Sequence, residues 1–174
     1  MILTDEKKKM TKDEFMQLQF ERKEYIDGVA YVNEPAPTYG HQSSAARIAA
    51  KLFAHMATAK NGEVLFSPID VILGNDVVQP DLLFIANTNR NIVEEDGLHG
   101  APDVVFEIIS PSTAINDTNK KFNIYEQHGV KEYFIVYPED KTVIKYALEN
   151  GKYHEQYREI GFVQSESMGC EFIF

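Results

Sequence analysis

The sequence contains a single cysteine, Cys170, so no internal disulfide framework can form. That scarcity fits a reducing compartment and sets a cytoplasmic location as the expectation. No apolar run approaches the ~20 residues of a membrane-spanning helix, so no membrane association is expected. The opening residues Met1-Ile2-Leu3-Thr4-Asp5 lack the apolar core of a secretory signal. Positive charge is also short: 17 Lys and Arg stand against 27 Asp and Glu, for a net charge of −10. This balance argues against affinity for nucleic acid built on overall basicity, because phosphate contacts need Lys and Arg. An active site made of carboxylates is still compatible, since such a site is acidic until a cation enters it. The chain has no Gly-rich phosphate loop and no Gly-x-Ser-x-Gly elbow. His41, His55, His99, His128 and His154 show no metal-ligand spacing such as His-x-x-x-His. His41, at the start of a helix, reads as an N-terminal polar contact.

What is present is ordinary for a globular protein. The chain has 174 residues, 44% apolar and 25% charged. A chain of this length buries roughly 70% of its unfolded surface in one core. No repeat, low-complexity tract or linker divides it, so residues 11–174 read as one domain behind a Lys-rich, flexible arm over residues 1–10. The tail, Cys170-Glu171-Phe172-Ile173-Phe174, ends on apolar residues without a polar cap, as a shortened chain would.

Thr11-Lys12-Asp13-Glu14 predicts a capping box opening a short helix to about Leu18. Asp27-Gly28 between Lys23-Glu24-Tyr25-Ile26 and Val29-Ala30-Tyr31-Val32 predicts a hairpin. From His41 to Ala59, apolar side chains at Ala45, Ile48, Ala49, Leu52, Phe53 and Met56 mark one face of a long helix, with Gly62 as its stop. Residues 63–73 and 77–86 read as the two strands of a hairpin, with Pro68 at a bend and Gly74-Asn75-Asp76 as the turn. Residues 87–102 read as a loop. Asp103–Ile109 reads as a buried strand, 115–128 as a helix capped by Gly129, and 132–137 as a second buried strand. Residues 142–148 and 153–159 form a further hairpin. Helices between strands argue for a mixed sheet covered on both faces.

Two acids sit where burial makes them costly. Asp81 interrupts Val77-Val78-Gln79-Pro80-Asp81-Leu82-Leu83-Phe84-Ile85, and Glu107 interrupts Val104-Val105-Phe106-Glu107-Ile108-Ile109. A carboxylate inside a core strand must be held by a cation, a salt bridge or a metal, or else stay neutral. Oxygen ligands of this kind suit Mg²⁺ or Mn²⁺. Asp117, Lys121 and Tyr125 are spaced by four and share one helix face. A surface Asp-to-Lys pair is the simpler account of that spacing. The alternative sends Lys121 toward the Glu107 strand, where its ammonium would stabilise developing negative charge.

These blocks, with Gly100-Ala101-Pro102-Asp103 and Gly129-Val130-Lys131-Glu132-Tyr133-Phe134-Ile135-Val136, resemble the Uma-type restriction endonuclease family, long classed as a domain of unknown function. The likeness runs from about Thr11 to residue 160. Pro80-Asp81 and then Glu107 are similar to the signature of the PD-(D/E)XK nuclease superfamily. The resemblance implies a restriction-endonuclease-like three-layer α/β core with a mixed central sheet, helices on both faces and flanking hairpins. It implies that Asp81 and Glu107 bind Mg²⁺ (or Mn²⁺) and that Glu24 adds an acid. It also implies that Asp117 and Tyr125 support the site from the helix. The superfamily lysine would stand at Ile109, and Lys121 matches the place to which this family moves it. The expected activity is metal-dependent hydrolysis of DNA, with a homodimer as the expected assembly. A nuclease-fold module that binds nucleic acid or a partner protein without cutting is the alternative, and the acidic net charge motivates it.

Overall fold

The computed structural model describes residues 6–18, 23–32, 36–109 and 116–174, the side chains of Glu6, Lys7 and residues 116–118 excepted. Three α-helices lie within them: α1 (Lys12–Met16), α2 (Tyr39–Ala59) and α3 (Asn116–His128). A six-stranded sheet runs in the order Lys152–Ile160, Thr142–Glu149, Glu132–Tyr137, Val104–Ile108, Leu82–Ala86, Gly62–Phe66. Its neighbours are antiparallel except Val104–Ile108 and Glu132–Tyr137, which are parallel and joined through α3. A seven-stranded sheet runs Glu6–Lys9, Val29–Val32, Lys23–Ile26, Asp76–Val78, Val71–Leu73, Gly97–His99, Val93–Glu94.

Alternation along the central strands divides the core in two. Leu82, Phe84, Val104, Phe106, Ile108, Phe134, Val136 and Val143 face α2, which contributes Ile48 and Leu52, together with Val163, Met168 and Phe174. Leu83, Ile85, Val105, Ile109, Tyr133, Ile135 and Ile144 face α3 and the second sheet, where Ile124, Tyr125, Ile26, Val71, Leu73 and Leu98 pack. Glu107 falls on the α3 side by the same alternation. The mixed α/β architecture with helices on both faces of a mixed sheet agrees with the fold class expected.

Several sequence expectations hold locally. Thr11 and Glu14 form the capping box of α1. Asp27 (φ 52°) and Gly28 (φ 78°) make the left-handed turn between Lys23–Ile26 and Val29–Val32. Others give way. Residues 6–9, placed by composition in a flexible arm, form an edge strand paired with Val29–Val32, because the hairpin leaves open hydrogen-bonding groups there. α2 is closed by Lys60, in the left-handed conformation (φ 51°), and not by Gly62. Gly62 instead begins a strand, where a Cβ would lie 2.3 Å from the Phe84 ring and 2.4 Å from the Ile85 carbonyl oxygen. Phe53, assigned to the packed face of α2, is exposed and meets Phe66 edge-on, the ring centroids 6.3 Å apart. Residues 87–102 are not a loop: Gly97–His99 pairs in parallel with Val71–Leu73 and carries Val93–Glu94 beside it.

The largest revision concerns residues 62–86. Each run expected to be one strand of a simple hairpin is two strands in different sheets. Gly62–Phe66 and Leu82–Ala86 belong to the six-stranded sheet, while Val71–Leu73 and Asp76–Val78 belong to the other. The crossings fall at Ser67–Pro68 and at Gln79-Pro80-Asp81, where proline removes a ladder donor. This double crossing joins the two sheets beside Asp81.

A buried polar group ties the C-terminal hairpin, Phe162–Ser165 and Cys170–Ile173, to the central sheet. Glu132 accepts from the backbone N–H of Glu166 (3.0 Å) and of Ser167 (3.1 Å), and from the Ser165 hydroxyl. The Lys145 ammonium lies 3.7 Å from Glu132 and also pairs with Glu166.

Candidate active site

Asp81 and Glu107 come together because of strand register. Val104, Val105 and Phe106 stand opposite Phe84, Leu83 and Leu82 in an antiparallel pair. Continued by one residue, that register puts Glu107 opposite Asp81, and directly opposed side chains share a face. The backbone N–H of Ile108, next to Glu107, donates to Asp81 Oδ2 at 2.7 Å.

α3 supplies the next two groups. Its apolar side seats Phe122, Ile124 and Tyr125 against the sheet, within an aromatic cluster of Tyr133, Tyr146 and Tyr153. One turn apart, Lys121 and Tyr125 then both point at Glu107. Lys121 Nζ donates to Glu107 Oε1 at 3.0 Å, and the Tyr125 hydroxyl donates to the same oxygen at 2.7 Å. Ile109 is packed in the core on this same side, and the ammonium beside Glu107 comes from the helix.

Glu24 arrives from the second sheet. Its Oε1 lies 2.7 Å from Lys121 Nζ and accepts from the Gln79 backbone N–H at 2.9 Å. Lys121 therefore joins a carboxylate from each sheet. The structure brings Asp81, Glu107, Lys121, Glu24 and Tyr125 into one cluster. The side chain of Asp117 lies outside the described residues.

His41 joins the cluster, a role that its sequence position alone did not disclose. Its Nε2 stands 3.1 Å from Asp81 Oδ2. The available signal was Thr38, whose hydroxyl caps the His41 N–H at 3.2 Å and so fixes the residue in the first turn of α2. Gln79 joins the cluster too, with no signal in the sequence to mark it. It holds Glu24 through its backbone and Asp70 through its side chain, at 2.7 Å.

The electrostatics follow from crowding. Burial, with the charges of Asp81 and Glu24, pushes the Glu107 carboxyl up to about 7 against the opposing pull of Lys121 and Tyr125. Burial works against a charged Lys121, but Glu107 and Glu24 outweigh it and hold the ammonium well above its ordinary range. Burial and the same carboxylates push the Tyr125 hydroxyl up, so it stays a donor.

The Uma2 family model, described as "Putative restriction endonuclease", matches residues 13–169. This chain belongs to the Uma2 family. A crystal structure of a putative nuclease of the DUF820 family from Anabaena variabilis ATCC 29413 superposes on this Uma2 chain with a TM-score of 0.76. It is 20% identical and covers 92% of this chain and 91% of its own, a likeness of fold. No curated protein matches the sequence. No helix among the described residues is long and apolar enough to cross a membrane.

The donor set of this Uma2 chain fits a hard divalent cation. Among the described residues, Glu24, Asp81 and Glu107 each commit one oxygen to protein contacts, and Glu24 Oε2, Asp81 Oδ1 and Glu107 Oε2 accept no protein hydrogen bond. Among the described residues, the Lys121 ammonium pairs with Glu24 and Glu107 and feels the charge of Asp81. The three acids do not form a closed cage: the described trio whose ligand atoms all lie within 4.8 Å of one another is Glu94, Asp96 and His99, on the exposed surface. A partial shell is the usual arrangement for Mg²⁺, which takes one or two carboxylates and completes its coordination with waters and substrate phosphate.

Proposed function

We propose that this Uma2 protein is a metal-dependent endonuclease that hydrolyses phosphodiester bonds in DNA. The observation that carries the reading is the convergence of Asp81 and Glu107 from adjacent strands, with an ammonium from α3 on the same carboxylate. Asp81 and Glu107 would hold Mg²⁺ (or Mn²⁺), with Glu24 available as a third acid. When bound, the cation supplies an acidified water and neutralises charge on the phosphate.

The chain's own residues do the rest. Lys121 is a strong donor beside the acids, placed to hold the nucleophile or to stabilise negative charge building on the phosphoryl oxygens. Tyr125 fixes Glu107 Oε1, so that the carboxylate presents its other oxygen. Ile109, Ile124 and Tyr133 keep water from the rear of the site and strengthen the charges in front of it.

The net charge of −10, with Lys121 already bound by two carboxylates, favours a second reading: a nuclease-fold module that binds nucleic acid or a partner without cutting. Calorimetric titration with Mn²⁺ and plasmid cleavage in Mg²⁺ decide between them. Cleavage that is lost in both Asp81→Ala and Lys121→Ala is the expected result. Wild-type cleavage by either variant overturns the assignment, and no cation binding at millimolar Mn²⁺ gives way to the binding module. A homodimer, with one site for each strand, belongs to the proposal, and sedimentation of the protein with DNA tests it.

A further inference from the structure

We infer that His41 is a positioning residue for Asp81: it orients the carboxylate so that Oδ1 is presented to the cation. The inference rests on the metal-dependent reading above and assigns a job to a residue on a different element from the acids.

Asp81 sits just after Pro80, at the point where the chain leaves one sheet for the other. Its Oδ2 receives two contacts from different directions. Ile108 N–H donates from the neighbouring strand at 2.7 Å, and His41 Nε2 approaches from the first turn of α2 at 3.1 Å. A carboxylate held at one oxygen by a single donor can still turn about its Cβ–Cγ bond. Two donors on Oδ2, from a strand and a helix, fix the plane of the group and leave Oδ1 in one direction. Oδ1 accepts no hydrogen bond from the described residues.

His41 is itself secured. Thr38 caps α2 and accepts the His41 N–H at 3.2 Å, so the ring is carried by the start of a 21-residue helix. Ile48 and Leu52 of that helix are buried against the central sheet. The His41 and Asp81 side chains are 12% and 21% exposed. The contact is sheltered from bulk water, yet Asp81 keeps an open side. Hydrogen bonds that orient a ligating carboxylate or imidazole are worth 10–100-fold in metal affinity when removed.

The test is Mn²⁺ binding measured by electron paramagnetic resonance on wild type, His41→Ala, His41→Gln and Asp81→Asn. Binding of an uncleavable duplex without metal is measured in parallel. His41→Ala is expected to weaken Mn²⁺ binding about 10–100-fold while leaving duplex binding unchanged. His41→Gln places an amide N–H close to the position of Nε2 and is expected to restore most of the affinity. A merely structural histidine would not be rescued selectively in this way. His41→Ala binding Mn²⁺ as wild type does, or His41→Gln failing to recover affinity while keeping the wild-type melting temperature, overturns the inference and leaves the nuclease reading in place. Wild type that takes up no Mn²⁺ overturns both. Asp81→Asn losing all binding while wild type binds shows that the ion is read at this site.

Discussion

The Tyr125 hydroxyl and the Lys121 ammonium share one acceptor, Glu107 Oε1, at 2.7 and 3.0 Å. Two donors one helical turn apart thus hold a carboxylate that would be costly to bury alone. Tyr125→Phe removes the shorter bond and changes little else in shape. The cost expected is roughly 1–3 kcal/mol in unfolding free energy. Because the hydroxyl pulls the Glu107 titration down, its loss is expected to move the proposed cation binding to higher pH. Mn²⁺ titrations across pH, with the same midpoint in Tyr125→Phe and wild type, would contradict this.

Glu107 also gives the apo protein a signed pH dependence. Its carboxyl titrates at about 7 in the fold, against an ordinary value of 4.5. Between those values the native state holds more protons than the unfolded chain, so stability falls as pH rises through the window. The loss is on the order of 3 kcal/mol and is complete above the folded value. Cation binding at the proposed site would need the carboxylate and would run the other way, tightening as pH rises through about 7. Urea midpoints of metal-free protein from pH 5 to 8 measure the first trend, and Glu107→Gln is expected to flatten it. A wild-type curve that rises over that range counts against the assignment.

Lys121→Met leaves Glu24 and Glu107 facing each other with no cation between them. Breaking a buried pair in this way costs about 3–5 kcal/mol. The loss is expected to be larger at pH 8, where Glu107 would be charged, than at pH 5.5, where it can take a proton. Equal losses at the two pH values would show that the ammonium does not offset the charge of Glu107.

The second buried ion cluster makes a contrasting prediction. Lys145 and Glu132 are almost fully buried, and with Ser165 they fasten the C-terminal hairpin. Lys145→Ala is expected to cost about 3–5 kcal/mol as well, because Glu132 is left without its cation. Hydrogen exchange should quicken first over residues 162–173. Mn²⁺ binding by the folded fraction should not change, and a drop in affinity would link the two clusters.

Much of the site was legible because costly features leave a mark in sequence. An acid inside a run of Val, Phe and Ile is conspicuous, which is how Asp81 and Glu107 stood out. The four-residue spacing of Lys121 and Tyr125 reported their common helix face. The partner of that face was invisible, since no local pattern states which strand a helix will cover. The resemblance to the family carried Glu24, whose neighbours Tyr25 and Ile26 explain its burial but not its contact with Lys121. His41 was legible only as a helix-start residue. The sheet change at residues 62–86 leaves no mark in the sequence because Gly62–Phe66 and Val71–Leu73 have the same β-prone composition. Only pairing with strands distant in sequence separates them. The strand at Glu6–Lys9 was hidden by its charge, which is also what keeps an exposed sheet edge from recruiting other chains.

The crossing at Pro80-Asp81 makes the chemistry and the architecture inseparable. Glu24 is carried by one layer and Glu107 by the other, with a single ammonium spanning the seam. Any slippage between layers would prise that junction apart before it disturbed either layer internally. The Glu24–Lys121–Glu107 junction is thus a gauge of alignment between the two layers, and a lesion that shifts one layer against the other should register there first.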